Sequence, residues 1–166
     1  MSSRRFNAIH LDLVGPLPAA EGYKYLLTCM ERQTRWLEAF LLTNIEASTV
    51  LETFLSNWVP RFGIPSDVTT DQGLQFTSRL FTHSLELLGV RLHHTTSYHL
   101  QSNSLVERVH CCLKDALVAR GGSWLQALPW VLLGLRNTPQ DDDARSAAQQ
   151  LYGVPCVHPG TLINSP

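Results

Sequence analysis

DVTTDQGLQFTSRLFTHSLELLGVRLHHT, residues 67–95, reads as strand, helix, strand, and this reading decides the fold class. Asp67 to Asp71 is a short strand around Val68-Thr69-Thr70, Ser78 to Leu88 is a helix ended by Gly89, and Arg91 to Thr95 is a further strand. Upstream, Phe6 to Leu13 mixes apolar and polar residues and stops at Gly15-Pro16, where proline removes a ladder donor and glycine permits a turn. Tyr23 to Met30 and Trp36 to Leu42 are β-rich runs separated by the polar Glu31 to Arg35, which makes three strands of an antiparallel meander. Between meander and strand–helix–strand unit, Val50, Leu51, Phe54, Leu55, Trp58 and Val59 recur at three and four, the face of an amphipathic helix. Thr43 and Glu46 fit a capping box at its start, and Gly63-Ile64-Pro65 ends it. The expectation is an α/β domain: a mixed sheet with helices on its faces.

Downstream, a polar loop from Thr96 to Asn103 leads into a helix from Ser104 to Ala119, with Val106, Val109, Leu113, Ala116 and Leu117 as its buried stripe. Gly121-Gly122 breaks it, and Trp124 to Leu135 is an apolar helix containing a proline. Gln140 to Arg145 reads as an acidic loop, and Ser146 to Tyr152 as a short helix before Gly153. No repeat or low-complexity tract interrupts the chain, so one domain is expected over residues 1–155, with residues 156–166 as a tail.

With 166 residues, 44% hydrophobic and 16% charged, the chain is large enough for one buried core. Thirteen Lys plus Arg oppose fourteen Asp plus Glu, a formal charge of −1, so any nucleic-acid binding must be local. No stretch approaches the roughly twenty apolar residues of a membrane span, and the opening MSSRR has no apolar run after it, so neither anchoring nor secretion is expected. Cys29, Cys111, Cys112 and Cys156 show no paired spacing, which suits a reducing compartment. His93, His94, Cys111 and Cys112 do not make a zinc set, because adjacent pairs in regular structure cannot both reach one tetrahedral metal.

Three carboxylates fall at element ends in apolar or turn-rich surroundings. Asp12 interrupts the apolar run Ile9 to Val14, where a charge needs a compensating cation. Asp71 ends a strand before Gln72-Gly73, at the carboxyl edge where open α/β sheets keep their sites. Glu107 opens a helix. If the first and fourth strands are neighbours and that helix packs across their mouth, the three converge and repel unless cations neutralise them. Oxygen-only ligands suit Mg²⁺ or Mn²⁺, and two such ions about 3.5–4 Å apart stabilise the attacking and leaving oxygens of phosphoryl transfer. Each acid also has a plain local role: Asp12 pairing with an Arg, Asp71 an Asx turn before Gly73, and Ser104 with Glu107 a capping box.

The local sequences add more. HLDLVGPLP around Asp12, TTDQGLQFTS around Asp71 and SYHLQSNSLVERVHCCLKDAL around Glu107 resemble the three signature segments of the retroviral and retrotransposon integrase catalytic core, with thirty-five residues between Asp71 and Glu107 as in that family. YLLTCMERQTRWLEAF, RFGIPSDVTTD and SAAQQLYG extend the resemblance from Phe6 to Gly153, and it looks closest to Ty3/gypsy-type elements. The resemblance implies a ribonuclease H-like fold, a five-stranded mixed sheet flanked by helices. It also implies Asp12, Asp71 and Glu107 as a catalytic triad holding two Mg²⁺ (or Mn²⁺) ions. These trim the 3′ ends of an element and then activate the new 3′ hydroxyl against target DNA, without a covalent enzyme intermediate. The loop from Tyr98 to Ser104 corresponds to the family's mobile active-site loop, making Tyr98, Gln101 and Asn103 candidates to touch the DNA end. Lys114, two turns after Glu107, is placed to meet a phosphate. A homodimer or higher oligomer is implied, with Trp124, Trp130 and Leu132-Leu133 as either core or interface, and action in the nucleus follows from the DNA substrate.

The chain departs from the family at several points. Leu100 replaces a proline and Ser104 a glycine in the active-site loop, changing its stiffness, and Ser104 is able to lengthen or cap the helix. Cys111 stands where a basic residue is common, Trp36-Leu37-Glu38 lacks a usual proline, and Gln149-Gln150 replaces Glu-Leu. Too few residues flank the core for the family's zinc-binding amino-terminal or DNA-binding carboxy-terminal domains. The expectation is therefore a polyprotein fragment or a truncated, domesticated gene product. The competing reading is a degenerate integrase-fold module that binds DNA or a protein partner without cutting, and a third is a general nuclease.

Overall fold

The computed structural model describes residues 4–95, 100–140, 144–157 and 159, with residues 100–105 as helical backbone. Five strands form one sheet in the order β3-β2-β1-β4-β5. β1 (Ala8–Val14), β2 (Tyr25–Glu31) and β3 (Leu37–Leu42) are the antiparallel meander, whereas β4 (Asp67–Thr70) and β5 (Arg91–His94) run parallel to β1. The sheet is mixed because non-helical connections, residues 15–24 and 32–36, reverse the first three strands, while helical crossovers return the last two in the same sense.

Alternation along the strands divides the interior. Ile9, Leu11, Leu27, Cys29 and Val68 face one side and pack against Val50, Phe54, Trp58, Phe81 and Leu85. These belong to α1 (Ala47–Thr53), the π-helical turn Phe54–Trp58 that joins it to α2 (Val59–Phe62), and α4 (Arg79–Leu87). Val14, Leu26, Met30 and Leu37 face the other side, beneath Leu113 and Leu117 of α5 (Leu100–Val118) and Trp124, Leu128 and Leu132 of α6 (Trp124–Asn137). A smaller cluster joins Trp36 to Ala147 and Ala148 of α7 (Ala147–Tyr152). His10, Asp12 and Val14 alternate with Ile9, Leu11 and Leu13, so Asp12 lies on the face that α5 covers.

Several boundaries differ from the sequence reading. The box expected from Thr43 and Glu46 does not form: the Asn44 carboxamide accepts the Glu46 N–H at 3.0 Å, and Glu46 becomes an N-cap with no side-chain bond. Pro60 has no N–H to donate within the first turn of α2, and the preceding turn widens into a π-helix. Gly63 stops this helical run at φ 86°, a conformation that suits glycine. A short α3 (Leu74–Thr77) precedes α4, whose cap Ser78 accepts from Phe81 N–H at 3.2 Å. α5 begins at Leu100, not Ser104, and takes in part of the expected polar loop. Leu100 and Ser104 do not break a helix as proline and glycine do, so the helical ladder extends through them. Ser104 is thus inside the helix rather than capping it, and Glu107 lies in its third turn rather than opening it. At the other end, Ser146 and Gln149 form a reciprocal capping box before Gly153, which explains one of the two glutamines, and Gln150 donates to Gln140 at 3.1 Å.

Candidate active site

The register of β1 against β4 places the first two acids. Ala8 pairs with Asp67, Ile9 with Val68 and His10 with Thr69. Continuing that register two residues sets Asp12 level with Asp71 at the carboxyl ends of adjacent parallel strands, the position expected from the sequence.

Asp12 is held from three elements. Its Oδ1 accepts the Leu13 N–H at 2.7 Å, and its Oδ2 lies 3.1 Å from His110 Nδ1 on α5. The other ring nitrogen, Nε2, is 2.6 Å from Thr28 Oγ1 on β2, where Thr28 is opposite Asp12 in the sheet. The partner of Asp12 is therefore a histidine, not the arginine considered from sequence. Burial raises the Asp12 carboxyl, but the hydrogen bond and charge of His110 and the Leu13 N–H outweigh it and hold the group below its ordinary value. His10, two residues back on the same face, is pushed below the usual imidazole value by burial. Asp12 and Asp71 counteract that push, and His110 and Arg32 reinforce it.

Asp71 is fixed by the turn after β4. Its Oδ1 accepts the Gly73 N–H at 2.8 Å, the Asx turn anticipated from sequence. A Cβ on Gly73 would lie 3.0 Å from that Oδ1 and from Gln75 Oε1, so a side chain there would push the carboxylate or Gln75 aside by a few tenths of an ångström. From β5, His94 Nδ1 lies 3.0 Å from Thr70 Oγ1 and 3.2 Å from the Asp71 carbonyl, and it braces the strand end.

Glu107 is exposed, three residues before His110 and so on the adjacent turn of the same face of α5. Among the described residues, no three His, Cys, Asp or Glu side chains stand close enough together to hold a metal ion. The structure thus brings Asp12 and Asp71 to adjacent strand ends, joins Asp12 to α5 through His110, and leaves Glu107 a turn along that helix. In kind, the donors fit a hard divalent cation: carboxylate oxygens oriented by backbone N–H groups and an imidazole.

Lys114 is exposed on α5. Gln101 and Asn103 fall in its first turns rather than in a loop, and Tyr98 lies outside the described residues. Of the interface candidates, Trp124 and Leu132 are core, at 0% and 6% exposed, whereas Trp130 is 61% exposed. The four cysteines are free thiols, and no described helix is long and apolar enough to cross a membrane. A cleft of about 230 Å³ beside Leu37, Val109, Cys112 and Leu135 includes none of the three acids. The sequence reading missed Thr28, His10 and His110, and weighed His94 only as a zinc ligand. Only His110 left a signal, its i, i+3 spacing from Glu107.

Comparison with known proteins bears on the family and the fold. The integrase core domain family matches residues 3–100. The Gag-Pol polyprotein of avian reticuloendotheliosis virus is 30% identical over 148 residues, 87% of this chain and 13% of the polyprotein. The Pol polyprotein of radiation murine leukemia virus (strain Kaplan) is 33% identical over 150 residues, 87% of this chain and 26% of the polyprotein. The chain thus spans about a quarter or less of these relatives. Among solved structures, the catalytic core domain of BIV integrase superposes with a TM-score of 0.67 at 21% identity, covering 89% of this chain and 94% of that one. The HTLV-2 integrase catalytic core domain in complex with magnesium, in a trimeric form, superposes with a TM-score of 0.65 at 16% identity, over 86% of this chain and 95% of that one. At these identities the structural likeness concerns the fold.

Proposed function

Because the chain belongs to the integrase core domain family, we propose that it is the catalytic core of a metal-dependent polynucleotidyl transferase, cutting near the 3′ end of an element's DNA and joining the freed 3′ hydroxyl to target DNA. The observation that carries this reading is the level placement of Asp12 and Asp71 at adjacent parallel strand ends, with Asp12 joined through His110 to the helix that bears Glu107. These three carboxylates would hold two Mg²⁺ or Mn²⁺ ions, which when bound stabilise negative charge on the attacking and leaving oxygens. Asp12 is presented by Leu13 and His110, and Asp71 by the turn at Gly73. Lys114 offers a point charge to a phosphate, and Tyr98, Gln101 and Asn103 are assigned to the DNA end. We place its action on target DNA in the nucleus, an inference from the DNA substrate that allows a cytoplasmic stage before it. Residues 1–155 form the core and residues 156–166 the tail, and the pair of hydrogen bonds between Asn137 and Cys156 anchors that junction.

A second reading, a binding module without turnover, is favoured by one observation: Glu107 is exposed and no described set of three donors is gathered. The experiment that separates them is a Mg²⁺ and Mn²⁺ titration of DNA cleavage and strand joining on a branched substrate, with Glu107→Gln alongside. Metal-dependent joining that vanishes in the variant supports the enzyme. Cutting without joining supports a general nuclease. A folded chain that binds DNA without turnover, even with flanking polyprotein segments supplied, supports the module.

A further inference from the structure

We infer that His110 is the positioning residue of Asp12, and that Thr28 fixes the imidazole in the orientation this requires. The inference deepens the reading of Asp12 as a metal ligand and rests on it. An ionised carboxylate only accepts hydrogen bonds, so the 3.1 Å contact to Asp12 Oδ2 requires a proton on His110 Nδ1. With the ring neutral, Nε2 must then accept, and Thr28 Oγ1 at 2.6 Å is the hydroxyl that donates to it. With the ring charged, Nε2–H donates to Thr28, whose hydroxyl turns to the Asp12 carbonyl at 3.2 Å. In both arrangements Nδ1–H faces Asp12, so the contact does not depend on the charge of the ring.

The seat is rigid. Thr28 is 1% exposed in the middle of β2, and Leu113 and Leu117, three and seven residues after His110 on the same helical face, are fully buried against the sheet. His110 thus transmits the docking of α5 to the torsion of one carboxylate. With Oδ1 bound to the Leu13 N–H and Oδ2 to the imidazole, both oxygens of Asp12 are oriented while each keeps a lone pair for a cation.

The test uses two isosteres. His110→Asn keeps an N–H where Nδ1 was, whereas His110→Gln moves the N–H to the Nε2 position and removes the donor to Asp12. Mn²⁺ binding to the whole chain, read by calorimetry, is expected to stay within a few-fold of wild type in His110→Asn and to weaken about tenfold or more in His110→Gln. Equal losses in both variants, or none in His110→Gln, overturn the inference, since a purely structural ring would be missed equally by either. In the metal-free protein, ¹⁵N NMR is expected to show a protonated Nδ1 on His110 whose resonance moves in Asp12→Asn. An unprotonated or unmoved Nδ1 also overturns it. Asp12→Asn provides the separate check: Mn²⁺ binding as tight as wild type in that variant defeats the metal reading itself, whereas weakened binding there with intact binding in His110→Gln defeats only the role of His110.

Discussion

Arg136 of α6 sets its guanidinium 3.0 Å from the Glu38 carboxylate of β3, with side-chain exposures of 16% and 7%. The same guanidinium donates twice to the Leu37 carbonyl and lies over the Trp36 ring at 4.3 Å, and Trp36 Nε1 donates to the other oxygen of Glu38 at 3.0 Å. Arg61 also approaches Glu38 Oε2, at 3.4 Å, but is 56% exposed, so removing Arg136 leaves the sheltered carboxylate with the Trp36 N–H and a longer, solvent-screened ion pair. Arg136→Met is expected to lower unfolding free energy by about 2 kcal/mol in urea titration, and adding Glu38→Gln should recover part of the loss. A loss no larger than that of an ordinary surface substitution would contradict this account.

Gly73→Ala tests the geometry of the Asp71 turn. The added Cβ meets the carboxylate and Gln75 at 3.0 Å, yet the φ of −57° is acceptable to alanine, so the fold tolerates the change while the Asp71 carboxylate or Gln75 must give way. Stability should change by less than about 1 kcal/mol. DNA strand joining should fall roughly tenfold or more, because small misplacement of a reacting group is expensive. Unchanged joining rates would show that Gln75 gives way or that Asp71 need not hold this rotamer.

Ser104→Gly tests why α5 starts early. Glycine in a helix interior costs about 0.5 kcal/mol relative to serine, too little to unfold the domain but enough to fray a helix end. Amide exchange at residues 101–106 should quicken while residues 109–117 remain protected. Unaltered exchange would place the cause of the early start elsewhere.

Asp67 links acidity to stability. Its oxygens meet His93 Nε2 at 2.9 Å and Arg91 Nη2 at 2.8 Å; the His93 hydrogen bond lowers its carboxyl most, burial opposes it, and the Arg91 bond with the charges of Arg91 and His93 keeps the group below the ordinary 3.8. A depressed folded value stabilises the protein above pH 3.8 and fades as the pH falls through the lower folded value. Asp67→Asn should therefore flatten the acid limb of a stability–pH curve below about pH 4 and leave the limb above pH 7 parallel to wild type. The pair is near the surface, so salt should diminish the difference.

Trp130 bears on assembly. At 61% exposed on α6 it is the interface candidate that packing leaves at the surface, and we propose it as the anchor of the expected homodimer. Trp130→Lys should shift the protein toward a monomer in sedimentation velocity without lowering its melting temperature. Identical sedimentation of variant and wild type would remove Trp130 from the interface.

The chain order of strands and main helices, the helix starts at Ser78 and Ser146, and the positions of Asp12 and Asp71 at strand ends were legible in the amino-acid sequence, because each is set by neighbours within a few residues. Hydrophobic period, turn chemistry and capping all act at that range. The early start of α5 was half legible: Leu100 and Ser104 signalled a change in the loop, but its outcome depended on how the helix seats on the sheet. Wholly tertiary were the grip of His110 and Thr28 on Asp12, the closure of Arg136 on Glu38, and the division of Trp124 to the core and Trp130 to the surface. These contacts join residues 82 and 98 positions apart, and in the tryptophans' case a sheet face to a helix rotated by its neighbours. Local composition carries no record of such distances. Only packing of α5 and α6 across the meander decides which side chain meets which.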